Sequence, residues 1–463
     1  MSVASLASRL RVCVVGAGPA GLYAADRLIA RAPACARVDV MEAMPAPFGL
    51  VRYGVAPDHQ DTKNVQNRFN AVLGHERVRL LGNVALGADV SLEELQERYD
   101  AVVVATGTPN ARALGVPGEH LRGVVSARDF VGWYNGHPSY VSAVDPSLLS
   151  ESKHVVVFGL GNVALDMARL LVKGAAHDAS DILSSTDVAE HALSALVGNA
   201  ARRVTFVGRR SAANIAFTAK ELREFVGLDA TSSVRLVDAM LDDADRDALK
   251  ASRRHRRSLE VLEKAAAAKS GGGTGVEIEA RFLSSPVEFE GDDSGRVRAV
   301  RLLANVMQGD SSSGRRAVEA APRREVAIPC DLALVSVGYV RDNDGVLAGA
   351  KHDGRGRVLG KDGVYLCGWL KRGATGIIGT NLDDAEDTVS ALLEDLGNAD
   401  PAVHRQTSDN DVVHLLSRRG VRVVDNDAWR RLEVHEERLG EVRGCPRVKV
   451  CDVASMLEAA GVA

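Results

Sequence analysis

The stretch "RVCVVGAGPAGLYAADRLIARA", residues 11–32, joins an apolar run to a helical pattern through closely spaced glycines. The apolar run predicts a buried strand, and the pattern after it predicts a helix packed on that strand. Gly16 permits a tight turn, Gly18 lets the backbone approach a pyrophosphate, and Gly21 lets the helix pack closely. The spacing therefore predicts a dinucleotide site at the start of the helix.

The next strand pattern, "VDVMEA" (38–43), carries an acid where the nucleotide would be recognised. Glu42 lies about 20 residues beyond Gly21, where a carboxylate accepts both hydroxyls of an adenosine ribose. A ribose without a 2′-phosphate suits this acid, so the first site is predicted to hold FAD. The alternative is a glycine-rich turn that binds no ligand.

A second unit of the same kind occurs in "KHVVVFGLGNVALDMARLLV", residues 153–172, with the pattern Gly159-x-Gly161-x-x-Ala164. Its next strand, "RRVTFVGRR", ends in Arg209 and Arg210 instead of an acid. Two guanidinium groups suit a 2′-phosphate, which a carboxylate would repel. This unit is predicted to bind NADP rather than NAD. The alternative is a basic strand end on a solvated face.

Strands that alternate with helical patterns predict the α/β class, with parallel sheets covered by helices. We expect a glutathione-reductase-like chain with two Rossmann-like domains, in which an inserted NADP domain splits the FAD domain. The predicted bounds are 1–107 and 331–463 for the FAD domain and 108–330 for the NADP domain. Residues 399–463 are expected to form a peripheral extension, and 263–275 and 308–325 to be surface insertions.

Composition excludes several classes of protein. The 463 residues carry a formal net charge of −4, which gives no overall field that would attract nucleic acid. No apolar run reaches the ~20 residues of a membrane span. The six cysteines contain no Cys-x-x-Cys pair and no zinc-ligand spacing, so reduced thiols and no metal site are expected. A disulfide relay like that of thioredoxin reductase is therefore disfavoured.

Nine motifs together closely resemble the adrenodoxin reductase type of ferredoxin–NADP reductase, including its bacterial members. The resemblance covers nearly the whole chain, including the tail around "GCPRVKV". The motifs are "VVGAGPAGLYAA", "GLVRYGVAPDH", "FVGWYNGHP", "GLGNVALDMAR", "VGRR", "FTAKELRE", "RFLSSPVE", "SVGY" and "GWLKRGATGIIGTN".

The resemblance implies two sets of cofactor contacts. The stretch 49–59 would wrap the FAD and reach the nicotinamide pocket. The implied FAD contacts are Gly16, Gly18, Pro19, Ala20, Gly21, Glu42, Gly49, Leu50, Val51, Gly107, Trp369, Gly376, Ile377 and Ile378. The implied NADP contacts are Gly161, Asn162, Val163, Arg209, Arg210 and Glu221.

The resemblance also implies polar residues at the nicotinamide and a basic docking face. His59 and Glu224 would form a polar pair there, with Asp166 nearby. The implied docking arginines for an acidic ferredoxin are Arg223, Arg253, Arg254, Arg256 and Arg257. Each role has a simpler alternative. His59 could only order its own loop, and Asp166 could be satisfied by neighbouring backbone. Glu224 and the docking arginines could be solvated surface charges, and Trp369 could be an ordinary core residue.

The expected activity is hydride transfer from NADPH to flavin N5, followed by single-electron transfers to an adrenodoxin-like [2Fe–2S] ferredoxin. The final acceptor would be a cytochrome P450 or iron–sulfur cluster assembly, and the chain is expected to act as a monomer. One alternative is an NADPH-dependent flavin reductase that feeds another partner, as in the glutamate synthase subunit. The other is a non-catalytic flavin redox sensor.

Departures from the family pattern concern three places. Ser211-Ala212 replaces the Gly-Pro that often follows the paired arginines, the segment 339–362 looks shorter than in many members, and the insertion "SGGGTG" (270–275) looks peculiar to this chain. Residues 1–10 are compatible with a targeting remnant or a disordered lead. Together with the polar insertions at 263–275 and 308–325, residues 1–10 favour a location in the mitochondrial matrix. If the protein is a bacterial member of the family, it is expected in the cytoplasm.

Overall fold

The computed structural model describes residues 10–32, 35–108, 110–268, 275–309, 314–341, 345–398 and 411–462. The segments 269–274 and 310–313, within the two expected insertions, and residues 1–9 lie outside this description. The chain forms two compact units, Met1–Asn110 with Tyr339–Ala463, and Ala111–Gly338.

The strands, in chain order, are β1 (Leu10–Val15), β2 (Cys35–Glu42), β3 (Val78–Gly82), β4 (Ala101–Val104), β5 (Asn110–Ala111), β6 (Val124–Ser126), β7 (His154–Phe158), β8 (Arg203–Val207), β9 (Thr231–Val237), β10 (Val276–Arg281), β11 (Ser284–Gly291), β12 (Val297–Gln308), β13 (Arg316–Glu319), β14 (Glu325–Pro329), β15 (Leu332–Val335), β16 (Tyr339–Val340) and β17 (Val364–Leu366).

The helices, in chain order, are α1 (Pro19–Arg31), α2 (Leu50–Tyr53), α3 (Gln60–Lys63), α4 (Val65–Leu73), α5 (Leu92–Arg98), α6 (Ala127–Tyr134), α7 (Pro146–Glu151), α8 (Asn162–Gly174), α9 (Ala179–Ser184), α10 (Glu190–Leu196), α11 (Ala219–Val226), α12 (Asp243–Ala251), α13 (Arg253–Ala268), α14 (Trp369–Arg372), α15 (Thr380–Asn398), α16 (Val412–Arg418), α17 (Asn426–Arg443) and α18 (Val453–Ala459).

The first unit is built on a parallel sheet of five strands in the order β17-β4-β1-β2-β3. Strand β4 is apolar along its whole length and β1 is apolar from Val12 onward, as expected where helices cover both faces of a parallel sheet. Helix α1 contacts β1, β2 and α15. The sheet therefore fixes the glycine turn between β1 and α1 rigidly on a buried core.

The second unit contains a parallel sheet of six strands in the order β6-β15-β7-β8-β10-β9. An antiparallel sheet forms from β11, β12 and β13, with β14 paired to β12. Helix α8 follows β7 and contacts α6 and α11. The predicted α/β class, with two Rossmann-like units of which the second splits the first in sequence, is confirmed.

The unit boundaries differ from the predicted domain bounds. The second unit ends at Gly338, beyond the predicted end at residue 330. Strand β15 accounts for this difference, because it pairs with β6 and β7 in the sheet of the second unit.

Two expectations about peripheral segments are corrected. Trp429, Leu432 and Met456 are at most 2% exposed and belong to the core of the first unit, so residues 411–462 are not a peripheral extension. In the second unit, Ala265 is buried in the core, and β13 pairs with β12. The described parts of both insertions are therefore integrated into that unit.

The stretch "GLVRYGVAPDH" is anchored by a buried ion pair. Arg52, in α2, donates to Glu436 of α17 from both Nη atoms, at 2.8 and 2.5 Å, and both side chains are at most 1% exposed. Glu436 Oε1 also accepts the Val450 N–H at 2.9 Å. The Arg52 guanidinium lies over the ring of Trp429, 5.9 Å from its centroid. The C-terminal helices therefore hold this stretch in place.

We expect Glu436→Gln to lower the thermal unfolding midpoint by about 10 °C. Losing one charge of a buried pair leaves the other uncompensated, at about 3–5 kcal/mol. Glu441→Gln, on an exposed part of the same helix, is the matched control and should leave the midpoint unchanged. Equal midpoints for the two variants would show that the pair contributes no net stability.

Candidate functional site

The first glycine turn has no room for side chains. Gly16 has φ +107°, and its N–H donates to Met41 O at 2.6 Å. A Cβ on Gly16 would lie 2.6 Å from Ala105 O, and one on Gly21 would lie 1.8 Å from Gly16 O. The predicted roles of these two glycines in the turn and in helix packing agree with this geometry.

Gly18 and Gly49 bring two backbone segments together at the start of α1. Gly49 has φ +45°, and a Cβ there would lie 3.1 Å from Gly18 Cα. Phe48 N donates to Ala17 O at 2.8 Å, which fixes this approach. Helix α1 then begins with Pro19 and Ala20, and first-turn N–H groups have no acceptor within a helix. The cradle fits an anion such as a pyrophosphate.

Glu42 is oriented by two backbone donors at the end of β2. Its Oε2 accepts the Ala17 N–H at 2.9 Å, and its Oε1 accepts the Met44 N–H at 3.1 Å. Each carboxylate oxygen can accept a second hydrogen bond, which two ribose hydroxyls would supply. Burial raises the pKa of Glu42 above its ordinary value, while these hydrogen bonds act in the opposite direction. The side chain fits an unphosphorylated ribose.

The segment after β17 presents ring and apolar groups. Gly368 has φ +73°, and a Cβ there would lie 2.5 Å from Ala20 Cβ. Trp369 begins α14, and its ring centroid lies 5.6 Å from that of Tyr339. The Ile377 side chain is 69% exposed, an unusual state for isoleucine. A flat, partly apolar ligand such as a flavin would cover it.

The remaining predicted FAD contacts lie around these groups in the first unit. Leu50 and Val51 are in α2 directly after Gly49, and Val51 is buried. Gly107 and Gly376 both have positive φ, at +75° and +85°, and the space where a Cβ on Gly107 would point is open. The Ile378 side chain is half-buried.

Asp384 fixes the Gly368 turn, and the sequence did not identify it. Its Oδ2 accepts the Gly368 N–H, and its Oδ1 lies 3.2 Å from Lys371 Nζ. Lys371 also donates to Thr388 Oγ1 at 3.0 Å, and both charged side chains are 5% exposed. The four-residue spacing of Asp384 and Thr388, which places both on one helix face, is the sequence feature that could have identified this contact.

The second glycine turn repeats the first with one difference. Gly159 has φ +125°, and a Cβ there would lie 2.1 Å from Ser336 O. Gly161 has an ordinary extended backbone, and its Cβ would point into open space. Asn162 Oδ1 accepts the Thr218 N–H at 2.9 Å, whereas Val163 packs on the core. The open side of Gly161 fits a pyrophosphate that approaches the backbone.

Arg209 and Arg210 follow β8 with exposed side chains. Their carbonyl oxygens accept hydrogen bonds from Asn305 Nδ2 at 3.0 Å and from Leu283 N at 3.1 Å. Within the part of the chain that the structure describes, neither guanidinium forms an ion pair with an acid. A fixed backbone with two uncommitted guanidinium groups fits a phosphate.

A buried arginine that the sequence did not identify gathers three acids in the second unit. Arg169 is 0% exposed, and its Nη1 donates to Asp166 Oδ1 at 2.7 Å. The same guanidinium lies 3.8 Å from Glu221 Oε2 and 3.7 Å from Glu224 Oε1. Asp166 is therefore paired with a side chain rather than with neighbouring backbone alone. The three-residue spacing of Asp166 and Arg169 on one helix is the sequence feature that could have identified this ion pair.

His59 and Glu224 lie in different units. His59 ends the "GLVRYGVAPDH" stretch, is half-buried, and donates its backbone N–H to Ala56 O at 3.0 Å. Glu224 lies on α11 in the second unit, 3.5 Å from Lys173 Nζ.

The predicted docking arginines lie on α11 and α13, with exposed side chains. Arg223 and Arg257 line one groove of about 540 Å³ between these helices, together with Glu260 and Lys264. The first turn of α13 contains Arg253, Arg254 and Arg256. Arg254 Nη2 donates to Ala216 O at 3.1 Å, and Arg256 Nε lies 3.9 Å from Glu260 Oε1. The groove combines excess positive charge with an apolar floor.

Among the described helices, none is both long and apolar enough to cross a membrane.

Comparisons with known proteins agree with this geometry. A family model described as pyridine nucleotide-disulphide oxidoreductase matches residues 10–230. The chain is 41% identical to the mitochondrial NADPH:adrenodoxin oxidoreductase of Salvelinus fontinalis, over 99% of this chain and 93% of that protein. It is 37% identical to NADPH-ferredoxin reductase FprA of Mycobacterium tuberculosis, over 96% and 98%. The structure of that FprA in complex with NADPH superposes with a TM-score of 0.88, covering 97% of this chain and 99% of that chain.

We expect Gly161→Ala to keep the thermal midpoint but to weaken NADP⁺ binding by about tenfold or more, or about 1.4 kcal/mol. The added methyl group fits the backbone but occupies the open side of the turn. Gly159→Ala should instead lower the midpoint, because its Cβ collides with Ser336 O. Calorimetric titration with NADP⁺ measures the affinity, and an unchanged affinity of Gly161→Ala would contradict a pyrophosphate at this turn.

Proposed function

The chain belongs to the adrenodoxin reductase type of ferredoxin–NADP reductases, and from this we propose that it is an oxidoreductase passing electrons from NADPH through bound FAD to a ferredoxin. The relatives named above are NADPH:adrenodoxin and NADPH-ferredoxin reductases. The observation that carries the proposal is the contrast between the two strand ends. A carboxylate stands at the first glycine turn, and two guanidinium groups stand at the second.

The first unit is proposed to hold FAD. Gly18 and Gly49 leave space for the pyrophosphate, the start of α1 offers N–H groups to it, and Glu42 accepts the ribose hydroxyls. Trp369 and the residues Gly376–Ile378 would border the ring. Bound FAD supplies the exchange between a two-electron hydride donor and a one-electron acceptor.

The second unit is proposed to hold NADP(H). Gly161, Asn162 and Val163 form the pyrophosphate turn, and Arg209 and Arg210 bind the 2′-phosphate. Glu221 contacts a ribose, and Arg169 holds Glu221, Asp166 and Glu224 in place from the side of α8. Asp166, Glu224 and His59 are proposed to orient the nicotinamide. Their task is positioning, because hydride transfer requires no covalent nucleophile.

The electron acceptor is proposed to be an acidic, adrenodoxin-like [2Fe–2S] ferredoxin that takes one electron at a time. It would serve a cytochrome P450 or iron–sulfur cluster assembly, and the reductase would act as a monomer. The groove lined by Arg223, Arg257 and Lys264 supports an acidic partner, because complementary charge steers association.

We expect the double variant Arg209→Ala/Arg210→Ala to lose about 100-fold in kcat/KM for NADPH and little for NADH. Each charge-assisted hydrogen bond to phosphate contributes about 1.5–3 kcal/mol. Anaerobic mixing of the flavin-loaded protein with NADPH or NADH, followed by bleaching of the flavin absorption band, measures both reactions.

The matched control is Arg202→Ala, at the opposite end of the same strand, which should retain the preference for NADPH. A wild-type protein whose flavin stays oxidised with NADPH would overturn the enzyme assignment and favour a redox sensor. Bleaching by NADPH without transfer to any ferredoxin would favour a reductase for another partner.

We expect the charge reversals Arg223→Glu/Arg257→Glu to raise the apparent KM for ferredoxin by about tenfold or more, since rim charges mainly set association rates. Turnover of NADPH with ferricyanide should not change, because this small acceptor needs no docking face. Extending the reversal to Arg253, Arg254 and Arg256 should increase the effect.

Arg324→Glu, an exposed arginine elsewhere in the same unit, is the control for net charge. Equal loss of the ferredoxin and ferricyanide activities in the Arg223/Arg257 variant would place the defect in the NADPH reaction and contradict docking at this groove.

A further inference from the structure

The loop after Arg210 is held by the hydrogen bonds of a buried serine side chain. Ser211 stands where the family often has glycine, and its side chain is buried. Its Oγ donates to Asp245 Oδ1 at 2.8 Å and lies 3.2 Å from Asn214 Oδ1. Together with the hydrogen bonds to the carbonyl oxygens of Arg209 and Arg210, this anchors three consecutive residues.

Asp245 belongs to a small charged network. Arg315 Nη1 donates to Asp245 Oδ1 at 2.6 Å and to Asp242 Oδ1 at 2.9 Å. Its Nη2 donates to Asp242 Oδ2 and, at 3.2 Å, to Met307 O. The side chains of Asp245 and Arg315 are only 5% and 10% exposed. One arginine, which lies just before β13, therefore joins both acids.

The two acids would oppose a phosphate if Arg315 were absent. Hydrogen bonding to Arg315 holds the pKa of Asp242 below its ordinary value, so Asp242 is ionised at neutral pH. Through Ser211, Asp245 contacts the residue next to Arg210. Asp245 is one hydrogen bond away from this loop, and salt at physiological concentration screens charges only over about 8 Å. Uncompensated carboxylates would repel a 2′-phosphate and attract the guanidinium groups of Arg209 and Arg210.

We propose that Arg315 is a positioning and specificity-determining residue. By pairing with both Asp242 and Asp245 and offsetting part of their negative charge, it keeps Arg209 and Arg210 available for the 2′-phosphate, while the Asp245–Ser211 hydrogen bond holds their loop. This proposal rests on the proposed function, because it concerns the choice between NADPH and NADH. It adds a residue outside the nucleotide-binding strands to the determinants of that choice.

The test is Arg315→Met in the flavin-loaded protein, with Arg316→Met, its exposed neighbour, as the matched control. We expect the ratio of kcat/KM for NADPH to that for NADH to fall about tenfold, the scale of one or two partly screened charges. The value for NADH should not change, and the fall should shrink as ionic strength rises. Arg316→Met should keep the wild-type ratio.

A rescue separates the charge effect from a loss of structure. The triple variant Arg315→Met/Asp242→Asn/Asp245→Asn removes the acids together with the arginine. Asp242 is the N-cap of α12 and accepts the Asp245 N–H at 2.8 Å, a role that Asn fills as well as Asp. The triple variant should restore at least the wild-type ratio. A purely structural role of Arg315 would lower both activities and would not be rescued.

The outcomes distinguish this proposal from the proposed function. If the wild-type protein does not discriminate between NADPH and NADH, the NADP assignment fails. If the wild-type protein prefers NADPH and Arg315→Met keeps the full preference at low salt, only the role of Arg315 is overturned.

Discussion

Backbone N–H groups can reach a phosphate only where no side chain stands between them, and this steric condition shapes both units. In each unit a parallel strand ends at a glycine with positive φ, Gly16 or Gly159, and a helix begins three residues later. The neighbouring backbone is so close that a Cβ would lie 2.6 Å from Ala105 O or 2.1 Å from Ser336 O. The positions that allow the turn also form the anion cradle, so fold and site cannot vary independently.

Charge then differentiates two turns that are otherwise alike. Glu42 is fixed by two backbone donors and remains able to accept hydrogen bonds from hydroxyl groups, whereas Arg209 and Arg210 are fixed through their carbonyl oxygens and present exposed guanidinium groups. In the first case the carboxylate itself is held and keeps acceptor capacity, and in the second the backbone is held while the guanidinium groups stay exposed. Preorganisation of this kind reduces the conformational entropy that ligand binding would otherwise cost.

The sequence could predict whatever depends on short spacing. The glycine turns, Glu42 and the paired arginines follow from local patterns. The contacts of Arg52 could not be predicted, because its partner Glu436 is 384 residues away. The same holds for Arg169 and Glu221, which meet only because α11 packs on α8. Strand β15 was placed in the wrong unit because an apolar run does not reveal which sheet it joins. Residues 411–462 were misjudged because Trp429 and Leu432 stand among many charged residues, as in a surface helix.

Arginines that are at most 10% exposed recur beside the segments for which cofactor contacts are proposed. Arg52 supports the stretch after Gly49, Arg169 supports the acids of α8 and α11, and Arg315 pairs with the two acids behind Arg210. A planar guanidinium can serve several oxygens at once, which a lysine does less well. Buried ion pairs add little net stability compared with apolar packing. Their value here lies in fixing where charge resides, and a chain of net charge −4 thereby keeps local groups of exposed arginines after β8 and on α11 and α13.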